Sequence, residues 1–307
     1  MEWIKVFAPA TIGNIGPGFD VLGMAVQGWG DTLTARRNAG GVTLVLSNDK
    51  VPLPQSPEQN TAGIAAAAVL EMLGETTGGV DLILHKGTPA GSGLGSSAAS
   101  ACAAAFATNE LYGNKLTKYQ LIMAATKAEE YVSGSFFTDN TAPCLLGGAT
   151  LTRSVSPLDV VALGTIEELK IVLVKPDLTV LTKDAREVLP AMIPLGSMIS
   201  NMANVAFITA AFLRNDYSML ACSLQDVVIE PARAHLIKGF AEAKSAALQA
   251  GADGMTISGS GPAVFAITNN SETAQRIKIA ICEAFAAVGV GADAVITTAD
   301  AQGTKIL

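Results

Sequence analysis

Residues 89–100 read Pro-Ala-Gly-Ser-Gly-Leu-Gly-Ser-Ser-Ala-Ala-Ser, a glycine-rich turn set against the start of an alanine-rich helix. Gly91, Gly93 and Gly95 can take positive φ at no steric cost, so successive backbone N–H groups can curl toward one point. A helix N-terminus adds unpaired amides and partial positive charge, and the combination suits a polyphosphate. Ser96 and Ser97 fall in the first helical turn, where a hydroxyl can reach a metal ion or a phosphate oxygen. A Walker A loop is excluded, because no Gly-Lys-Ser/Thr occurs anywhere in the chain. A dinucleotide fingerprint is nearly matched by Gly93, Gly95 and Ala98, but the acid-terminated strand it requires is replaced by residues 116–131, which read as a helix. A glycine-rich turn without a ligand stays open for this segment taken alone.

The elements around the loop are legible from periodicity. Val80 to Lys86 alternates and is β-branched, giving the order strand, glycine loop, helix. Further strands are expected near Lys5–Ala8, Trp29–Arg36, Val42–Leu46 and Gly147–Arg153. Ser56-Pro57-Glu58 predicts a capped helix running to about Leu73. The second half opens with a strand at Leu169–Lys175 and continues through helices between about Thr182 and Ala250. It closes with strands near Met255 and Ala263, a helix from Ala274 and a strand through Val295, which suits a smaller α+β domain with helices on one sheet face. Ser154-Val-Ser-Pro157 breaks the pattern, so the domains are expected to be 1–155 and 156–307.

The bulk composition narrows the function classes. The chain has 307 residues, half of them apolar, yet no uninterrupted apolar run approaches the ~18 residues that cross a membrane. No basic stretch followed by an apolar segment opens the sequence, so a cytoplasmic location and no membrane partner are expected. The net charge of -7 argues against nucleic acid. Cys102, Cys144, Cys222 and Cys282 are far apart and read as reduced core residues, while two histidines, His85 and His235, cannot build a histidine-rich metal site.

The pattern Pro-x-x-x-Gly-Leu-Gly-Ser-Ser-Ala-Ala resembles the nucleotide loop of the GHMP small-molecule kinases, and two more segments match in the same order. Residues 9–23, Pro-Ala-Thr-Ile-Gly-Asn-Ile-Gly-Pro-Gly-Phe-Asp-Val-Leu-Gly, resemble the first motif in its homoserine kinase form. Residues 257–265, Ile-Ser-Gly-Ser-Gly-Pro-Ala-Val-Phe, resemble the third. The resemblance implies an α+β, two-domain GHMP kinase fold. Its N-terminal domain would be like domain 2 of ribosomal protein S5 and bind ATP; its C-terminal domain would be a ferredoxin-like α/β sandwich that completes the substrate site. It also implies ATP and Mg2+ as cofactors. Pro89, Ala90, Gly91, Ser92, Gly93, Leu94, Gly95, Ser96, Ser97, Ala98 and Ala99 would surround the nucleotide, together with Gly259 and Gly261 from the third motif and Asn60 near the adenine. Magnesium would be held by Ser97 and Glu129. Registering on Asp139-Asn140 and on Gly147-Gly148 selects Glu129 over Glu130, and an acid near a helix C-terminus opposes the dipole and needs some such reason.

Eleven residues after Glu129 comes Asn140, where mevalonate kinases carry a proposed aspartate base. An asparagine can orient a hydroxyl but cannot take its proton. A loose phosphoryl transition state tolerates that, with positioning carrying most of the barrier, and Asp139 is the alternative base. By the same resemblance Asn14 and Asp20 contact the hydroxyl arm and the ammonium of the substrate. The segments around Thr182 and Glu230 supply Arg186 and Arg233 to its carboxylate, for which guanidinium forks are well matched. Phe137 stands where many homoserine kinases have histidine, which puts one substrate contact in doubt. The implied reaction is ATP-dependent phosphorylation of L-homoserine to O-phospho-L-homoserine in threonine biosynthesis. A mevalonate or sugar kinase of the same superfamily, or a non-catalytic nucleotide-binding homologue, are the rivals. Homodimers are common in the superfamily, so a second copy is the expected protein partner.

Overall fold

The computed structural model describes residues 2–47 and 53–307. In chain order the elements are β1 (Ile4–Gly13), β2 (Leu22–Asn38), β3 (Gly41–Leu46), α1 (Thr61–Met72), β4 (Gly79–His85), α2 (Ser96–Leu111), α3 (Lys118–Ser133), α4 (Thr141–Leu146), β5 (Ala149–Val155) and β6 (Leu158–Gly164). They continue with β7 (Lys170–Pro176), α5 (Thr182–Glu187), α6 (Leu195–Arg214), α7 (Tyr217–Ala221), α8 (Ile229–Arg233), α9 (Phe240–Gln249), β8 (Gly254–Ile257), β9 (Val264–Thr268), α10 (Ser271–Ala287), β10 (Ala292–Thr297) and β11 (Lys305–Ile306).

Among the described residues the strands form two sheets. The larger has seven strands ordered β11-β1-β2-β4-β3, with β5 pairing β2 and β6 pairing β5. On the edge away from β1, β2 serves two neighbours in turn: Thr32–Asn38 pair with β4, and Leu22–Met24 with β5. A register shift between Pro9 and Thr11 bends β1 against β2 and aims the end of β1 at the glycine loop. α2 is buried on nearly every side because its alanines, among them Ala98, Ala99, Ala101 and Ala103–Ala105, let α1, α3 and the sheet approach its backbone closely.

The smaller sheet is antiparallel, ordered β10-β7-β9-β8. Its side chains alternate between two cores, as the period of two demands. Val172 and Val174 of β7, with Val264 and Ala266 of β9, pack under α9 and α10. Ile171, Leu173, Phe265 and Ile267 turn the other way and join Ile12, Met24 and Val26 of the larger sheet, together with Ile208, Ala211 and Phe212 of α6. α9 and α10 thus lie on one face of this sheet, as expected, and its other face packs on the larger sheet in a core that α6 shares.

Three expectations change. The break at residues 154–157 is the turn of the β5–β6 hairpin, whose strands both belong to the larger sheet, so the chain changes sheets between Gly164 and Lys170 instead of at 155/156. The chain then returns, with Ile306 opposite Val6. Ser56 precedes only a short 3-10 turn over Pro57–Gln59; the cap of α1 is Asn60, which accepts from the Ala62 amide at 3.0 Å. Cys102 and Cys144 are buried, but Cys222 is exposed and Cys282 half-buried, so only the first pair are core residues.

Candidate active site

Asp31 on β2 is completely buried and fixes both ends of the glycine turn. Its carboxylate accepts from the amides of Gly87 (3.1 Å) and Thr88 (3.0 Å), from Ser100 Oγ on α2 (2.7 Å) and from Lys86 Nζ. Lys86 Nζ also donates to the Ser96 carbonyl at 2.7 Å. Burying such a pair adds little net stability; its value lies in fixing geometry. Between these anchors Gly93 and Gly95 take φ of 79° and 63°. A Cβ on Gly93 would lie 2.5 Å from the Ser258 carbonyl oxygen, and one on Gly95 2.0 Å from Thr11 Oγ1. Only glycine fits either place.

The three glycine segments interlock. The Ala263 amide donates to the Ser92 carbonyl (2.9 Å), Ser258 Oγ to the Gly93 carbonyl (2.7 Å) and the Thr11 amide to the Leu94 carbonyl (3.0 Å). Gly259 N donates to the Gly13 carbonyl at 3.1 Å, and Asn14 Nδ2 to the Gly259 carbonyl at 3.0 Å. The loop's carbonyls are thus engaged by its neighbours. Ala90–Gly93 and Gly95–Ser97 line a cavity of about 700 Å³ with Asn14, Asp20, Asn60, Lys86, Glu129, Asp139, Asn140, Thr182, Arg186, Arg233 and Gly259. Pro89, Leu94, Ala98, Ala99 and Gly261 do not line it. Leu94, Ala98 and Ala99 are core residues that fix the loop from behind.

At the N-terminus of α2, Ser97 Oγ donates to Glu129 Oε2 at 2.9 Å. Burial pushes the Glu129 carboxyl up to about 7, against the pull of Ser97 and Lys86. Glu130 is exposed. A hydroxyl and a carboxylate are hard oxygen donors that fit Mg2+, which takes few protein ligands and completes its shell with phosphate oxygens and water. No group of three or more His, Cys, Asp or Glu converges among the described residues, so a full protein cage is not what this donor set offers.

Asn140 Oδ1 accepts from Thr11 Oγ1 at 2.8 Å, which fixes the amide and makes Nδ2 its donor end. Nδ2 has only a long bond, 3.3 Å, to Asp139 Oδ2. Asp139 is buried, and burial with the nearby Asp20 charge raises its carboxyl to about 7 despite Arg186. Asp20 in turn pairs with both terminal nitrogens of Arg186, at 3.1 and 2.8 Å. Arg233 donates from Nε to the Ala185 carbonyl and from Nη1 to the Gly259 carbonyl, both at 2.9 Å. Desolvation and the Arg186 charge lower it to about 10. The Phe137 ring lies 4.7 Å from the Arg186 guanidinium and packs on it. The Asn60 side chain caps α1 and donates to the Pro54 carbonyl at 2.9 Å, holding the cavity wall together from inside it.

The structure therefore brings the predicted acids, amides and both arginines to one cavity. Asp31, Lys86, Thr11 and Phe19 escape a sequence reading. Thr11 and Phe19 lay inside a recognised motif without an assigned role, while Asp31 and Lys86 looked like ordinary strand residues. His85 and His235 are exposed and outside the cavity lining.

Comparison with known proteins gives a consistent set of similarities. Residues 60–148 match the GHMP kinases N terminal domain and residues 208–287 the GHMP kinases C terminal domain. A homoserine kinase of Chlorobium phaeobacteroides (strain BS1) is 40% identical over 321 aligned positions, covering 100% of both chains. One of Arabidopsis thaliana is 46% identical over 93% of this chain and 79% of its own. The crystal structure of homoserine kinase from Cytophaga hutchinsonii superimposes with a TM-score of 0.94 at 44% identity, covering 100% of this chain and 98% of the other.

Proposed function

This chain belongs to the homoserine kinase family of GHMP kinases, and we propose that its cavity transfers the γ-phosphoryl group of ATP to the hydroxyl of L-homoserine, giving O-phospho-L-homoserine and ADP in threonine biosynthesis. The observation that carries the reading is the meeting of the interlocked glycine turn with Arg186 and Arg233 in one cavity. Full-length relatives at about 40% identity support homoserine over mevalonate or a sugar, and support an enzyme over a nucleotide sensor.

In this reading the amides of Gly91–Ser97 hold the phosphates at the α2 N-terminus. The adenine lies against Leu53, Pro54, Tyr131 and Val132, a wall that Asn60 braces. Ser97 and Glu129 hold Mg2+, which supplies charge neutralisation on the phosphates when bound. The substrate ammonium meets Asp20, its carboxylate meets Arg186 and Arg233, and Thr182 borders the same end. Asn140 Nδ2 and Asn14 orient the hydroxyl. Because Asn140 cannot accept a proton, the hydroxyl keeps it through a loose transition state and passes it to an oxygen of the transferred phosphoryl group as the new O–P bond forms and the bond to ADP breaks. Asp139 is the alternative acceptor.

The reading also places the chain in the cytoplasm as a homodimer. α6 is long and apolar enough to cross a membrane by length and composition, with 17% of that window buried. Its Asn201 and Asn204 are tied to Asp226 Oδ1 and the Gln225 carbonyl, and Ile208, Ala211 and Phe212 are core, so it is docked on this protein. Leu195, Met198, Ile199, Met202, Phe207 and Leu213 face outward.

A coupled ADP-release assay over L-homoserine, serine, threonine, mevalonate and galactose tests the substrate. Turnover is expected on L-homoserine; turnover on mevalonate alone would overturn the assignment, and no ADP release at all would favour the sensor.

A further inference from the structure

Two guanidinium groups held side by side repel each other, and each needs a fixed seat. Arg233 is held by two backbone carbonyls. Arg186 is held at one edge by Asp20, while its Nε is buried without a hydrogen-bond partner. Hydrogen bonds therefore leave one edge of the Arg186 plane unsecured. The remaining contacts are aromatic. The half-buried ring of Phe19, next in sequence to Asp20, lies 5.4 Å from the Arg186 guanidinium carbon and 5.0 Å from that of Arg233. Both distances are within the range at which a cation is attracted to the negative face of a ring. Phe137 touches Arg186 alone. Phe19 also borders an apolar groove with Val21, Met198 and Met202.

We propose that Phe19 is a positioning residue for the substrate carboxylate, its ring holding Arg186 and Arg233 at the spacing that one carboxylate can bridge. The inference rests on the reading of these two arginines as the carboxylate clamp. A leucine keeps apolar contact but lacks the ring quadrupole, so the fault it introduces lies in the arginines' placement. That fault affects a substrate with a carboxylate and spares one without.

The test compares kcat and KM for L-homoserine and L-homoserinamide in the parent, Phe19→Leu and Phe19→Tyr. The parent is expected to favour homoserine. Phe19→Leu should raise KM for homoserine on the order of tenfold with kcat little changed. KM for the amide should stay within about twofold, and Phe19→Tyr should restore the parent ratio. Phe19→Met reads the same ratio should leucine impair folding, which thermal denaturation monitors. Equal losses on both substrates, or none, overturn the role of Phe19 and leave the clamp standing. A parent that uses the amide as well as homoserine removes the clamp itself, and the proposal with it.

Discussion

At the scale of single residues, the site separates groups that meet reacting atoms from groups that hold them. Glu129, proposed as a magnesium ligand, would belong to the first class: Glu129→Ala is expected to lower kcat by about 10²-fold or more, with a smaller change in KM for homoserine, as read by steady-state kinetics at saturating ATP. Arg233→Leu should act on KM for homoserine instead. It also leaves the Ala185 carbonyl without its donor and the Gly259 carbonyl with Asn14 alone, so a loss of about 1–3 kcal/mol in urea unfolding should accompany it. Asp139 offers a pH test. Its folded value, about 7, lies above the ordinary carboxylate value of 3.8, raised by burial first and then by Asp20 and Glu129, with Arg186 opposing. The native state thus holds this proton more tightly than the unfolded chain does. Its stabilising contribution is complete below about pH 4 and is lost as pH rises through about 7. Asp139→Asn should remove that slope, so its unfolding free energy should gain on the parent's between pH 4 and 8. If Asn140 positioning carries the chemistry, the same variant keeps kcat within about tenfold. A far larger loss would make Asp139 the base.

At the scale of elements, the glycine turn and the strand and helix flanking it were legible because their signals are local: alternation, then glycines, then alanines. Gly95→Ala tests how tightly that turn is built. The substitution must take φ of 63° and displace Thr11, so a loss of about 1–3 kcal/mol and a severe fall in kcat/KM are expected, measured by denaturation and kinetics. The misreadings have a common cause. Ser154–Pro157 signals a chain reversal, and the same residues serve a hairpin turn as well as a linker; only the pairing of β6 with β5 distinguishes them. Ser56 read as the helix cap because Ser-Pro-Glu is a local signal, whereas the cap is Asn60, whose side chain is also bonded to the Pro54 carbonyl. Asp31 was invisible because an acid in an alternating strand looks solvated. Its partners Lys86, Gly87, Thr88 and Ser100 lie more than fifty residues away.

At the scale of the whole molecule, function depends on bringing residues from the first twenty positions, the middle and the last fifty to one cavity. The core shared by the two sheets does this by packing β7 and β9 against the β1 and β2 side of the larger sheet. The exposed apolar face of α6 is the surface through which the proposed homodimer would form. Met202→Glu is expected to shift the chain toward monomer in light scattering at micromolar concentration; an unchanged mass would remove α6 from the interface. The most direct measurement of the account is a crystal structure with a non-hydrolysable ATP analogue, Mg2+ and L-homoserine. The account predicts phosphate oxygens on the amides of Gly91–Ser97, with the substrate carboxylate bridging Arg186 and Arg233. A triphosphate seated away from that turn, or a carboxylate touching neither arginine, would contradict it.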